Sequence, residues 1–377
     1  MTPILMPAFS AQMEKGALAR WLRRPGEPVA AGDVIAEVET DKATMEIEAP
    51  VDGALGRILV PQGARDVPVG AALALFEPGE GPPVDIDDEP VWTGPTAPVS
   101  MIDALRDAIA EEMRRDPTIL VLAEAAAAGG PSGALRGLAA EFGGGRVVEA
   151  PTSLGAAISA ALGAALGGAR PLLDLPGGEA AAALAALAPA LALRLPVAIL
   201  TSLRPDFAPP AEAAALVPSG PAEARAAIKA ALRHDGAALT LLDAALRAVV
   251  EAAPVAGDGP ARLGRARLLR EGARLTIASY CSGLKIAADV LDEDEAGLAD
   301  LIDLRSLRPA DVATLTARAA ATRRLIVFDP LGGACCAGLV AQAQAATSGA
   351  LDAAVRLATT PAELREAASA ARSGRPA

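Results

Sequence analysis

The first 79 residues alternate apolar and polar positions in short runs, punctuated by glycine at 16, 26, 32, 53, 56, 63, 70 and 79. Such punctuated alternation predicts short strands joined by turns. The pattern occurs twice. Val29, Gly32, Ile35 and Ala36 return as Val67, Gly70, Leu73 and Ala74 at a constant spacing of 38 residues. The segment Pro25-Gly26 leads the first copy and Pro61 with Gly63 the second. A duplicated half-motif in so small a β unit implies a sandwich with pseudo-two-fold symmetry.

Within the first copy, two alternating runs flank Glu39-Thr40-Asp41-Lys42-Ala43-Thr44. Pairing Val38 with Met45, Ala36 with Ile47 and Val34 with Ala49 turns every apolar side chain to one face. The same register sets Thr40 opposite Ala43 and leaves Asp41-Lys42 as a two-residue hairpin turn. It predicts an exposed Lys42 amine at the tip, beside acidic neighbours.

The texture changes twice more. Residues 80–99 hold five prolines and a run of acids, a composition that keeps a chain extended and predicts a tether. From Ser100 onward helix and strand signals alternate. Ile102, Leu105, Ile109 and Met113 recur at helical spacing over residues 101–115, and Pro117 ends the run. Continuous apolar strands are predicted at 118–122, 146–149, 171–174 and 196–201, with alanine-rich helices between them. That order implies a parallel sheet covered on both faces. Residues 253–260 (Ala-Pro-Val-Ala-Gly-Asp-Gly-Pro) interrupt it, and a second α/β unit follows. Its strands are expected at 275–279, 300–304 and 324–328, with a helix over 282–290.

Charge and composition narrow the functional classes. The 34 Lys and Arg against 46 Asp and Glu give a net charge of −12, which disfavours nucleic acid and anionic membrane as partners. Eight aromatics in 377 residues leave little for base stacking. The uncharged run at 180–193 contains Pro189 and falls short of the ~20 apolar residues of a membrane span, so a buried helix is expected there. No signal peptide is read at the N-terminus, and with three cysteines and no even framework a reducing, cytoplasmic location is expected. Cys281, Cys335 and Cys336 lack metal-ligand spacing, and buried small hydrophobes is their expected role. No metal site is expected.

Glu14, Gly16, Trp21, Gly26, Gly32-Asp33, the Glu-Thr-Asp-Lys-Ala stretch and Gly53 together resemble the lipoyl domain of 2-oxo acid dehydrogenase complexes across residues 2–79. The resemblance implies lipoate in amide linkage on Lys42, installed by a lipoyl-attaching enzyme, with Asp41 and Ala43 beside it in the cofactor-binding site. Biotinyl domains are similar but usually carry Met-Lys-Met; Asp41-Lys42-Ala43 favours lipoate.

The remainder carries a second resemblance. Residues 107–117, Glu141-Phe-Gly, Arg146-Val-Val and the Gly163 to Pro171 stretch are similar to the β subunit of the thiamine-diphosphate-dependent E1 component. Residues 302–311 resemble the transketolase C-terminal domain. The implied fold is multidomain: a lipoyl/biotinyl-type all-β sandwich over 1–79, a linker over 80–99, a pyrimidine-domain-like α/β unit over 100–255 and a transketolase C-terminal-type α/β unit over 262–372. The implied activity is that of an E1 β-type subunit of a pyruvate or related 2-oxo acid dehydrogenase complex, acting with an E1 α subunit in an α2β2 assembly and with an E2 acyltransferase. Thiamine diphosphate is implied only together with that α subunit, which supplies the diphosphate half of its site.

The departures from the family pattern bear on catalysis. The family glutamate that hydrogen-bonds the aminopyrimidine aligns with Ser153, in Thr152-Ser153-Leu154-Gly155. A hydroxyl cannot do a carboxylate's proton work, and a loss of ~10²–10⁴ in rate is expected. Glu124 matches a family glutamate after the first strand, and Glu149 is near in sequence; neither is an obvious substitute. The aromatic segment after Asp174 and the histidines around 200–220 are missing, and the loop at 204–210 is short. The lone histidine, His234, is expected at a helix end, where a cation is favoured. Gly257-Asp258-Gly259 has no asparagine to complete a diphosphate motif and is read as turn chemistry. The glycines at 155, 163, 167 and 168 serve either a close subunit contact or packing within the domain. Two readings therefore stand: a catalytic E1 β-type subunit, or a degenerate E1-like body that supplies a lipoyl arm.

Overall fold

The computed structural model describes residues 2–6, 15–23, 28–29, 34–39, 44–48, 53–78, 95–177, 188–205, 208–210, 212–254, 259–292, 297–347 and 351–373. The chain forms two compact units, Met1–Asp88 and Glu89–Ala377.

Among the described residues the first unit has eight short strands: β1 (Thr2–Leu5), β2 (Lys15–Trp21), β3 (Pro28–Val29), β4 (Val34–Glu39), β5 (Thr44–Glu48), β6 (Gly53–Ile58), β7 (Val67–Pro68) and β8 (Ala72–Pro78). They lie in two four-stranded sheets, ordered β1-β8-β6-β3 and β5-β4-β2-β7. Adding one half-repeat to β1 and β3 gives β5 and β7, and stepping one back from β8 and β6 gives β4 and β2. The duplication in the sequence is thus a duplication of sheets. Val29, Val67, Ala36 and Ala74, the repeated apolar positions, are all buried in the shared core. Trp21 closes the edge, donating from Nε1 to the Val60 carbonyl at 3.0 Å.

The second unit opens with β9 (Thr96–Ser100), paired antiparallel with β16 (Val250–Pro254). Residues 96–99 were expected within the tether; the alternation of exposed and half-buried side chains there instead supports a strand. Ser100 caps α1 (Met101–Arg115), accepting from the Asp103 amide at 3.1 Å. Then follow β10 (Ile119–Ala123), α2 (Leu138–Phe142), β11 (Val147–Glu149), α3 (Leu154–Leu166), β12 (Arg170–Asp174), α4 (Ala188–Ala192), β13 (Ala198–Ser202), β14 (Ala214–Leu216), α5 (Pro221–Arg233) and β15 (Ala238–Leu242). The remaining elements are β17 (Arg267–Arg270), β18 (Leu275–Ser279), α6 (Ser282–Asp292), β19 (Ala299–Asp303), β20 (Ser306–Arg308), α7 (Val312–Thr322), β21 (Leu325–Phe328), α8 (Ala337–Ala346), β22 (Arg356–Ala358) and α9 (Pro361–Ser373).

Two sheets organise this unit, ordered β11-β10-β12-β13-β15-β14-β20 and β17-β19-β18-β21-β22. The central strands are parallel, and β15, β18 and β19 are buried along their whole length, as continuous apolar runs require. The division at 255–262 is not a clean boundary. β20 leaves the second half and pairs antiparallel with β14 of the first, Ala215 opposite Arg308. One apolar core runs through both halves, from Leu105 and Leu172 to Tyr280 and Val327. The helix expected over 180–193 is described only at α4. None of the described helices is long and apolar enough to cross a membrane.

Candidate functional site

The register around the candidate lysine is set by β4 and β5. Val38 pairs with Met45, Glu37 with Glu46 and Ala36 with Ile47, as the alternation predicts. The third predicted pair fails, because a bulge between Val34 and Ala36 sets Val34 against Glu48 instead of Ala49. The bulge has a physical use: Ile35 and Ala36 are consecutive yet both buried, which plain alternation forbids. The last described pair is Glu39 with Thr44. Four residues, 40–43, join them. Thr40, Asp41, Lys42 and Ala43 lie outside the described residues, so the predicted turn at Asp41-Lys42 does too. Arg20 grips Glu37 through two bonds of 2.8 and 2.7 Å and ties β2 to the arm of this hairpin.

The second candidate region is the carboxyl edge of the seven-stranded sheet, where open parallel sheets bind ligands. An acid ends or follows four of its strands: Glu124, Glu149, Asp174 and Asp243. Three are spent on the backbone. Glu149 accepts from the amides of Ala125 and Ala126 at 2.5 and 3.1 Å. Asp174, 1% exposed, accepts from the Ser132 amide and hydroxyl at 3.1 and 2.7 Å. Asp243 accepts from the amides of Ala245 and Ser282 at 2.9 and 3.1 Å. Burial pushes the Asp174 carboxyl up to about 6, against the opposing pull of Ser132 and the Arg247 charge. Gly130, at φ +69°, passes so close that a Cβ there would stand 2.5 Å from Asp174 Oδ2.

Ser153 occupies the N-cap of α3 but makes no side-chain cap bond, and it is exposed. Thr152 and Leu154, its neighbours, line a cleft of about 50 Å³ with Glu124, Asp174 and Leu175. Glu124 has no hydrogen-bond partner among the described residues and is exposed at this cleft. The edge therefore brings Glu124 and Asp174 together beside the Ser153 turn, with no carboxylate on the turn itself. Asp174 was read from the sequence only as the end of a strand; an acid closing an apolar run at a parallel-sheet edge was the available signal.

The other candidates are placed as follows. His234 is the C-cap of α5, as expected. Burial above all, with the charges of Arg170 and Arg194, holds its imidazole below the ordinary value, against the pull of Asp235. Cys281 and Cys336 are buried and Cys335 half-buried; burial pushes the Cys335 thiol up to about 11. Among the described residues no cluster of three or more His, Cys, Asp or Glu side chains could hold a metal. Gly155 and Gly163 are exposed, with nothing within 4 Å of the position a Cβ would take. Internal packing therefore does not explain them. Residues 255–258, 206–207 and 178–187 lie outside the described residues, and the expectations placed there with them.

Residues 2–76 match the family described as Biotin-requiring enzyme, and residues 264–373 match the transketolase C-terminal domain. The chain is 29% identical over 395 residues to the pyruvate dehydrogenase E1 component subunit beta of Rhizobium meliloti, covering 86% of this chain and 85% of that protein. Over 78 residues it is 54% identical to the dihydrolipoyllysine-residue acetyltransferase component of the pyruvate dehydrogenase complex of Rickettsia bellii. That match covers 20% of this chain and 19% of the acetyltransferase. A split-gene transketolase, described as an inactive beta4 tetramer, superposes with a TM-score of 0.59 at 19% identity, covering 74% of this chain and 99% of its own. The fold is thus a lipoyl/biotinyl-type sandwich followed by transketolase-like α/β layers.

Proposed function

We propose, for a chain that is a homologue of the pyruvate dehydrogenase E1 β subunits and carries an N-terminal lipoyl-type domain, that it is the lipoyl-bearing E1 β-type subunit of a pyruvate dehydrogenase complex. The complex converts pyruvate to acetyl-CoA and CO2. In this reading the chain's own contribution is the acyl-carrying arm on Lys42. The observation that carries it is the β4–β5 register, which closes at Glu39 and Thr44 around Asp41-Lys42-Ala43. Only four residues separate the paired ends of β4 and β5, and this reading puts the attachment amine of Lys42 among them, for an attaching enzyme and successive active sites to reach. The described register supports that placement. The partners are an E1 α subunit in an α2β2 assembly, an E2 acyltransferase and a lipoyl-attaching enzyme, in the cytoplasm. The exposed small residues Gly155 and Gly163 support a close helix contact with one of these subunits.

The residues at the sheet edge do not fit the activation of thiamine diphosphate. That chemistry needs an enclosed carboxylate against the cofactor ring. Ser153 offers a hydroxyl, Glu149 is occupied by two amides, and Glu124 is exposed to water. Any thiamine diphosphate held with an α subunit lacks its proton partner on this side. The degenerate-body reading is therefore favoured over the catalytic one. Peptide mass spectrometry of the chain from lipoate-replete cells tests the proposal: a lipoyl group on Lys42, lost in Lys42→Arg, is expected. An unmodified Lys42 contradicts it.

A further inference from the structure

We infer that a cleft between the two α/β halves of the second unit binds a small organic molecule through an oxyanion group, phosphate or carboxylate. The cleft is about 390 Å³, within the ~300–1,000 Å³ of small-ligand sites. It forms where β20 crosses to pair with β14. Arg194, His234 and Glu212 come from the first half, and Arg308, Cys335 and Gln342 from the second.

Its charge is unbalanced. The Arg194 and Arg308 side chains make no hydrogen bond or ion pair with any described residue, although most described arginines have one. The one acid of the lining, Glu212, is exposed at the rim and pairs with neither. Between them His234 presents an imidazole with no hydrogen-bond partner among the described residues. Burial and the positive field of Arg170 and Arg194 lower its pKa, against the pull of Asp235. The N-terminus of α8 also borders the cleft, its Cys336 amide donating to Asp329 at 3.3 Å. Cys335 and Leu339 bring that end into the wall, and Cys336 caps it with no side-chain bond. Guanidinium forks match the geometry of phosphate and carboxylate. Ala213, Ala214, Leu307 and Pro309 give an apolar floor for a carbon skeleton. No part of this rests on Lys42 or the lipoyl-type domain.

The chain has a single histidine, so the imidazole resonance of the full-length protein reports this cleft alone. Titration of histidine-labelled protein with inorganic phosphate, and separately with acetate, is expected to give a saturable shift of that resonance for at least one anion. The bound anion should also raise the His234 pKa. Asp235, Arg170, Arg194 and Glu212 belong to the ring's own half, and Arg308 and Cys335 to the other; all are present in both arms. Arg308→Gln and the exposed Arg194→Gln should each weaken binding at least tenfold, whereas Arg308→Lys should retain part of it. Preference for phosphate assigns a phosphorylated ligand and preference for acetate a carboxylate. Non-saturating shifts with both anions, or unchanged binding in both Gln variants, overturn the inference.

Discussion

At the scale of single residues, what Ser153 lacks weighs as much as what Lys42 offers. Ser153→Glu restores a carboxylate to the first turn of α3. Assayed with an α partner for pyruvate-dependent dye reduction, the parent chain is expected to be inactive. The variant should gain ~10²-fold or more, the scale of a general acid–base group; equal activity in both would remove Ser153 from the explanation. A second residue sets a pH dependence. Asp303 is buried at the end of β19, accepting from the Ser219 hydroxyl at 2.6 Å and the Arg305 amide at 3.0 Å. Burial pushes its carboxyl from 3.8 up to about 7. The folded chain therefore keeps a proton that the unfolded chain releases near pH 4. Its contribution to stability is present in acid and lost as pH rises toward 7, about 4 kcal/mol over the window. Urea unfolding at pH 5 and pH 8 should show a smaller difference in Asp303→Asn than in the parent.

At the scale of elements, legibility followed the range of the interaction. α1 was readable to its ends from Ile102, Leu105, Ile109 and Met113 and the stop at Pro117; Leu105, Ile109 and Met113 are buried, and Met101 is buried in place of Ile102. The β4–β5 register was readable because cross-strand pairing over a dozen residues is local, and only the bulge at Ile35 escaped. β14 and β15 were not. Ala214-Ala-Leu216 and the run beginning Ala238-Leu are short, and such runs suit helix or strand equally. β20 was hidden for a different reason, since its partner lies about 90 residues earlier. The contact of α1 with α5 was equally invisible. Arg225 and Lys229, each 1% exposed, both bind Glu111, while Arg233 and Arg115 share the buried Glu112 at 2.6 and 2.9 Å. Glu112→Ala leaves two guanidinium groups without their shared carboxylate. It should cost about 3 kcal/mol, read as a lower denaturation midpoint; a loss below about 0.5 kcal/mol would show the pairing to be incidental.

At the scale of the whole molecule, the chain joins two bodies with separate cores. A fragment of residues 1–88 has its own buried set around Leu18, Ile35, Leu55 and Phe76. It should unfold cooperatively and accept the lipoyl group as the full chain does; failure to fold would show that the second unit supports it. The candidate site was legible in the same uneven way. Lys42 could be proposed from its neighbours in sequence alone, and it lies outside the described residues. The Arg194–His234–Arg308 cleft could not, because three distant segments build it. The account stands or falls on whether the arm carries acyl groups made elsewhere. The direct measurement is acetyl loading on Lys42 after the purified chain and its α partner receive pyruvate, with and without a separate, catalytically intact E1. An acetylated arm only when that E1 is added is the predicted result. Acetylation by the chain and its α partner alone, or none under either condition, would contradict it.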